Sequence, residues 1–337
     1  MDALISLALL FFFLFLGMLL ARIPGLAGGS VVKKLSGLVL FALLFFMGFR
    51  MGRTTEGAEE LARIGLLSVG FALSGTAGTL AVLLILFRIL REDLRSAGKS
   101  SGTDSPVSAE PEPVREGSRK KNPDSALLIK KKPAVSAGHL KDPLRLMAFV
   151  AAGFLAGLFL PAGGITGENL STWMLRILLL FIGMDLAAGG VSFREVLAHR
   201  KTLLLPLGTA AGSLLGGLLM VPLFGLAPSQ TLAVSSGFGW YSLSGVLITD
   251  MGNPFLGSAA FMSNILRETI ALVTIPLLGG TRFSLLAVGV GGATSMDVTL
   301  PLIERSCGTE AVPLAIASGA LLSLLVPVLV PLFYNLG

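Results

Sequence analysis

The chain has 337 residues, with one cysteine, two histidines and only 14% charged residues. A soluble domain carries about 25% charge, so that share already argues against a water-exposed surface all round. The lone Cys307 excludes an intramolecular disulfide and any cysteine-rich metal site. His139 and His199 fall outside the apolar runs, which leaves no histidine cluster for a metal. For the same reason an intramembrane hydrolase using Ser242 or Ser244 lacks a neighbouring base. No Gly-rich loop ends in Gly-Lys-Ser/Thr, and no polar stretch is large enough to fold around ATP. Neither a cofactor nor a metal is expected, and the chain does not read as an enzyme.

Apolar sequence dominates instead, with 53% hydrophobic residues and a mean hydropathy of +0.82. It is gathered into runs at 3–21, 35–49, 64–87, 144–160, 173–187, 202–224, 255–278 and 311–334. A hydrocarbon core needs roughly 17–25 such residues per helix, so these eight runs predict an all-α integral membrane protein. The first run is read as a span rather than a signal peptide. Asp2 is its only charge, and Arg22-Ile23-Pro24 is not a small-residue cleavage site.

The net charge of +6 points to a membrane surface rather than to nucleic acid, because of where it sits. Residues 91–143 are rich in Pro, Ser and Gly and include Arg119-Lys120-Lys121 and Lys130-Lys131-Lys132. Such a segment reads as a disordered basic linker, and basic loops stay in the cytoplasm. Three spans precede it, so the N-terminus is expected outside, and the C-terminus with it.

The three spans before the linker resemble the three after it. Leu44 to Gly48 matches Leu179 to Gly183, and Gly75-Thr76-Ala77-Gly78 is similar to Gly208-Thr209-Ala210-Ala211-Gly212. A three-span unit repeated in one chain is necessarily inverted, the organisation typical of secondary transporters. Expected units are therefore residues 1–90, the linker 91–143, an inverted unit 144–230 and a last unit 231–337.

That last unit differs from the others. Residues 231–250 and 284–302 are too polar and Gly-rich at their centres to face lipid, so their backbone must be buried in protein or line a wet cavity. Each is followed by a clean span, 255–278 or 311–334. Two re-entrant, broken hairpins of opposite orientation, added to about eight spans, fit this pattern; two further crossings, giving ten, are the alternative. Gly237, Gly239 and Gly245 mark the first broken segment, Gly291 and Gly292 the second.

Arg267, Glu268 and Asp297 interrupt the apolar sequence at depth, where ionisable groups are costly and normally functional. Two carboxylates against one guanidinium leave a net charge of −1, which suits a cation. A purely structural ion pair of Arg267 with Asp297 or Glu268 is the competing reading, although adjacent residues on a helix point about 100° apart. Trp240 and Tyr241 add aromatic faces that attract ammonium groups, and Asn264 lies one turn before Glu268, placed to orient it. Without a nucleotide-binding signature, transport must run on an ion gradient or downhill. A sodium-coupled carrier of another small organic solute is the alternative, and a passive channel would not need paired inverted hairpins.

At these residues the sequence resembles the LysO-type lysine exporters of bacteria. The resemblance is carried by Ser236-Gly-Phe-Gly-Trp-Tyr-Ser-Leu-Ser-Gly245, Gly257 to Phe261, Arg267-Glu268, Gly292-Ala-Thr-Ser-Met-Asp297 and Thr299-Leu-Pro301. It implies an inner-membrane exporter of L-lysine and of toxic lysine analogues, with the essential carboxylates falling on Glu268 and Asp297. Ser242, Thr294 and Ser295 lie inside the same motifs as candidate substrate-binding residues. Lysine carries a net +1, and exchange for an incoming proton would cancel the charge it moves. In that scheme Glu268 and Asp297 hold the ammonium groups and Arg267, or hairpin N–H groups, the carboxylate.

Overall fold

The computed structural model describes residues 2–22, 30–54, 57–89, 141–159, 168–188 and 200–337. Nearly all of the expected linker, residues 91–140 of it, lies outside them. All regular elements among the described residues are helical. The first five are α1 (Asp2–Leu20), α2 (Ser30–Thr54), α3 (Ala58–Ile89), α4 (Lys141–Phe159) and α5 (Glu168–Ala188). They continue as α6 (Arg200–Leu218), α7 (Met220–Phe224), α8 (Pro228–Ser235), α9 (Tyr241–Asp250) and α10 (Pro254–Gly279). α11 (Ser284–Gly291), a 3-10 turn (Gly292–Met296), α12 (Leu300–Cys307) and α13 (Val312–Tyr334) complete the order.

Long helices occupy all eight apolar runs, with one interruption. Pro222 has no N–H for the Leu218 carbonyl and its ring crowds that turn. The run at 202–224 accordingly breaks into α6 and α7, with Leu219 bonding Gly216 in a tighter turn (3.2 Å). Among the described residues, five stretches are long and apolar enough to cross a membrane: Lys34–Arg53, Ala58–Ile89, Thr202–Phe224, Pro254–Gly279 and Thr309–Tyr334. Their outer faces carry Leu38, Leu66, Leu73, Leu215 and Leu277, all more than half exposed. An apolar surface of that extent marks contact with lipid. The chain is a helical membrane protein.

Each of the first three helices packs against one of the next three. α1 lies on α5 and α2 on α4, through glycines that let backbones touch. A Cβ on Gly17 would run into the Leu180 carbonyl, and one on Gly183 into that of Leu14. On the other pair, a Cβ on Gly153 would strike the Phe45 carbonyl and one on Gly48 that of Val150. α3 and α6 cross antiparallel along a seam of Gly78, Gly212 and Gly216. Small residues that bring backbones together are how membrane helices gain packing energy. Exchanging α1 with α4, α2 with α5 and α3 with α6 turns this set of contacts into itself.

α10 serves as a ruler for the two broken segments. Asn253 caps it, its Oδ1 accepting the Leu256 N–H at 3.0 Å, with Pro254 in the first turn. At that end Thr249 of α9 abuts Gly257, while at the far end Ser306 of α12 abuts Gly279. α9 therefore runs from the middle of α10 back towards its start. α8 returns to the same side, because the Ser213 hydroxyl bonds Ser235 O (2.9 Å) while Gly217, further along α6, meets Ser235 and Thr231. The second segment turns back as well: Cys307 Sγ at its end lies 3.6 Å from the Ser284 carbonyl at its beginning. α11 and α12 thus share the side at which α10 ends, opposite to α8 and α9. Their apolar faces, Leu285, Leu286, Val288 and Ile303, bury against Leu83, Phe87, Leu205 and Ile275.

Candidate functional site

The two turns meet tip to tip. Phe238 and Gly239 adopt positive φ (47° and 99°), as does Gly292 (60°). The left-handed region is strained for a side chain as large as phenylalanine, so the surrounding contacts must hold Phe238 there. Its carbonyl accepts the Ala293 N–H at 2.9 Å, and a Cβ on Gly292 would fall on the same oxygen. Only glycine permits this approach and this conformation together. The junction is buried: Phe238 and Ser295 are at 0% exposure and Ala293 at 4%.

Breaking a helix frees backbone groups, and nearby polar side chains satisfy them. Thr294 Oγ1 bonds the Gly291 carbonyl (2.8 Å), and Ser295 Oγ is shared between Gly292 O (2.7 Å) and Ala315 O of α13 (2.9 Å). Ser244 Oγ likewise bonds Trp240 O (3.0 Å). These hydroxyls hold the hairpins in shape, and Thr294 and Ser295 are among them. Asn264 departs from expectation. Its Oδ1 accepts the Gly239 N–H (2.7 Å), and its Nδ2 donates to Ser244 Oγ (3.1 Å) and Ala260 O (2.9 Å). The amide is committed to the first hairpin and not to Glu268, because the tip approaches that face of α10 so closely that Gly237 has no room for a Cβ.

The charged residues separate. Arg267 and Glu268, at 4% and 2% exposure, are both buried near the middle of α10, whereas Asp297 is exposed just beyond the second tip. No ion pair joins Arg267 to Glu268 or Asp297 among the described residues, so the structural-pair reading is not what holds them. Arg267 instead reaches into the α3–α6 seam. Nη1 donates to Ser213 Oγ (2.6 Å) and Nη2 to Thr79 Oγ1 (3.1 Å), beside Gly75 and within about van der Waals reach of Gly292. Thr79 and Ser213, the hydrogen-bond partners of Arg267, are positions that the sequence reading missed. Each lies one residue beyond the glycine that closes its repeat motif, Gly78 and Gly212.

Trp240 is half-buried and Tyr241 is 8% exposed, its ring set edge-on to Phe261 with centroids 5.9 Å apart. Ser242 is buried beside them. Gly245 and Gly257 let α9 and α10 touch, since a Cβ on Gly245 would meet that of Phe261 at 2.8 Å. No group of three or more His, Cys, Asp and Glu among the described residues has the arrangement of a metal site.

Comparison with known proteins bears on what this arrangement carries. A family model described as "Lysine exporter LysO" matches residues 147–334. The chain is 39% identical over 193 residues to "Lysine exporter LysO" of Escherichia coli (strain K12), covering 57% of this chain and 64% of that protein. It is also 39% identical over 167 residues to a Haemophilus influenzae protein named "Putative lysine exporter", covering 50% of this chain and 84% of that one. The match thus spans somewhat less than two thirds of the E. coli relative. No solved structure matches.

Proposed function

This chain belongs to the lysine exporter LysO family, and from that premise we propose that it is a secondary transporter carrying L-lysine out across the cytoplasmic membrane by exchange with protons. In this reading it has eight spans and two re-entrant hairpins in inverted units. Both termini face outward, and the basic segment 91–143 lies in the cytoplasm. Lysine analogues with the same charged groups are carried by the same route.

The observation that carries the reading is the opposed pair of hairpins, closed by Phe238 O and Ala293 N–H at 2.9 Å beside the middle of α10. A site at such a junction can be reached from either side by small movements of one unit against the other. Buried Glu268 on α10 and exposed Asp297, just after the second tip in sequence, are the groups to which we assign the lysine ammonium groups and the proton. Moving a net +1 solute outward against an inside-negative potential costs about 2.3 kcal/mol per 100 mV. An incoming proton cancels that charge movement. A carboxylate that takes either a proton or an ammonium group, but not both, couples the two fluxes. Trp240, Tyr241 and Ser242 complete the substrate side of the first hairpin.

Glu268→Gln and Asp297→Asn, purified and reconstituted, test the assignment. Each is expected to lose lysine–proton exchange while remaining folded and monodisperse. Wild-type exchange in both variants would end the proposal for these carboxylates.

A further inference from the structure

Arg267 is a guanidinium at 4% exposure surrounded by neutral groups. Its two hydrogen-bond partners, Ser213 and Thr79, have already committed their own protons. The Ser213 hydroxyl donates to Ser235 O at 2.9 Å and that of Thr79 to Gly75 O at 2.9 Å. Both hydroxyls therefore present lone pairs to the arginine and fix its orientation, but neither supplies negative charge. Among the described residues no carboxylate pairs with it, and none accepts a hydrogen bond from its Nε. An arginine has five N–H donors, and two of them are engaged here. The remaining donors include Nε–H, which with a neighbouring Nη forms the planar fork that binds a carboxylate through both oxygens.

Further donors lie close by in sequence. Thr76 and Thr209 sit one helical turn from Thr79 and Ser213 on the same helices. Both are buried, and their hydroxyls have no partner among the described residues. The guanidinium also borders the second hairpin tip at Gly292. An uncompensated charge held in a protein interior is strongly unfavourable, and here it stands beside the second hairpin tip at Gly292, with the Thr209 hydroxyl against Gly289 one turn earlier in that hairpin.

We infer that Arg267, held between Thr79 and Ser213 at the crossing of α3 and α6, receives the α-carboxylate of the carried amino acid. The site thereby selects amino acids over the corresponding diamines. This rests on the lysine reading above and deepens it. Glu268 and Asp297 favour positive charge alone, and a diamine would satisfy them better than lysine does; Arg267 is what excludes it.

Counterflow of radiolabelled lysine in wild-type proteoliposomes, competed by unlabelled lysine, cadaverine or lysinamide, is the test. Both competitors keep the side-chain ammonium and lack the carboxylate. A charge-assisted hydrogen bond at a buried site contributes roughly tenfold to a hundredfold in affinity, so each should compete at least about tenfold more weakly than lysine. In Arg267→Gln the preference should fall to within about twofold. Arg267→Lys, which keeps the charge without the fork, should recover part of it. Equal competition by lysinamide and lysine in the wild type would overturn the inference while leaving lysine transport standing. Absence of any lysine counterflow would overturn the transport reading and this inference with it. Should Arg267→Gln fail to fold, the wild-type competition alone decides.

Discussion

Replacing Asn264 by alanine removes the side chain that holds the first hairpin tip against α10. Three hydrogen bonds go with it: Gly239 N–H to Oδ1 (2.7 Å), and Nδ2 to Ser244 Oγ (3.1 Å) and to Ala260 O (2.9 Å). They are unequal. Ala260 O lies within a continuous helix and Ser244 Oγ keeps its bond to Trp240 O, so neither is orphaned. The Gly239 N–H sits in a buried turn and has no acceptor but Asn264 Oδ1 among the described residues, and an orphaned buried donor costs about 1–3 kcal/mol. With about 2.1 cal/mol/K of unfolding entropy per residue, a chain of 337 residues loses roughly 1.4 °C of melting temperature per kcal/mol, and a loss near 2 kcal/mol lowers the midpoint by about 3 °C. Ser244→Ala should cost less than about 1 kcal/mol, and the double variant should fall short of the sum, because the two residues share a bond. Thermal unfolding in detergent, followed by loss of the monodisperse peak, measures the stability terms. Lysine counterflow measures whether tip position sets the rate. If Asn264→Ala melted with the wild type and transported at its rate, the amide would not be what positions the tip.

Other consequences follow from the packing. Gly17→Ala and Gly153→Ala should destabilise by similar amounts, about 1–3 kcal/mol each as overpacked contacts, because they occupy matching places on α1 and α4; strongly unequal melting shifts would count against the internal repeat. Gly65 has nothing within 4 Å of where a Cβ would stand, so Gly65→Ala should be neutral or stabilising by up to about 1 kcal/mol in the same melting assay. Gly292→Ala combines positive φ with a collision at the Phe238 carbonyl and should abolish counterflow; near-normal transport would show that the tips need not touch. Arg50→Ala breaks a partly exposed pair with Asp250 at 4.0 Å and should cost less than about 1 kcal/mol, a loss above 2 kcal/mol in urea or heat being the contrary result.

The long helices were legible because hydrocarbon imposes a length and a composition that show in one dimension. The broken segments were legible too: Gly237, Gly239, Gly291 and Gly292 stand among hydroxyl residues where lipid-facing helices carry leucine. Contact across the fold was not legible. Asn264 and Glu268 share a helical face by spacing, yet the amide turns to Gly239 because the hairpin tip arrives there first. The sequence shows the hydroxyls of Thr294 and Ser295 but not that they donate to the carbonyls of Gly291, Gly292 and Ala315. The repeat motif in α3 and α6 was visible through Gly78 and Gly212, whereas its purpose depended on Thr79 and Ser213, which only the crossing of the two helices brings to Arg267.

The central claim is that lysine leaves in exchange for protons. Wild-type proteoliposomes with an acidic interior and radiolabelled lysine outside test it most directly. Lysine should accumulate as protons leave, and the accumulation should collapse when nigericin dissipates the pH gradient. Lysine flux that ignores the gradient would contradict proton exchange, and no lysine flux in either condition would contradict the transport reading itself.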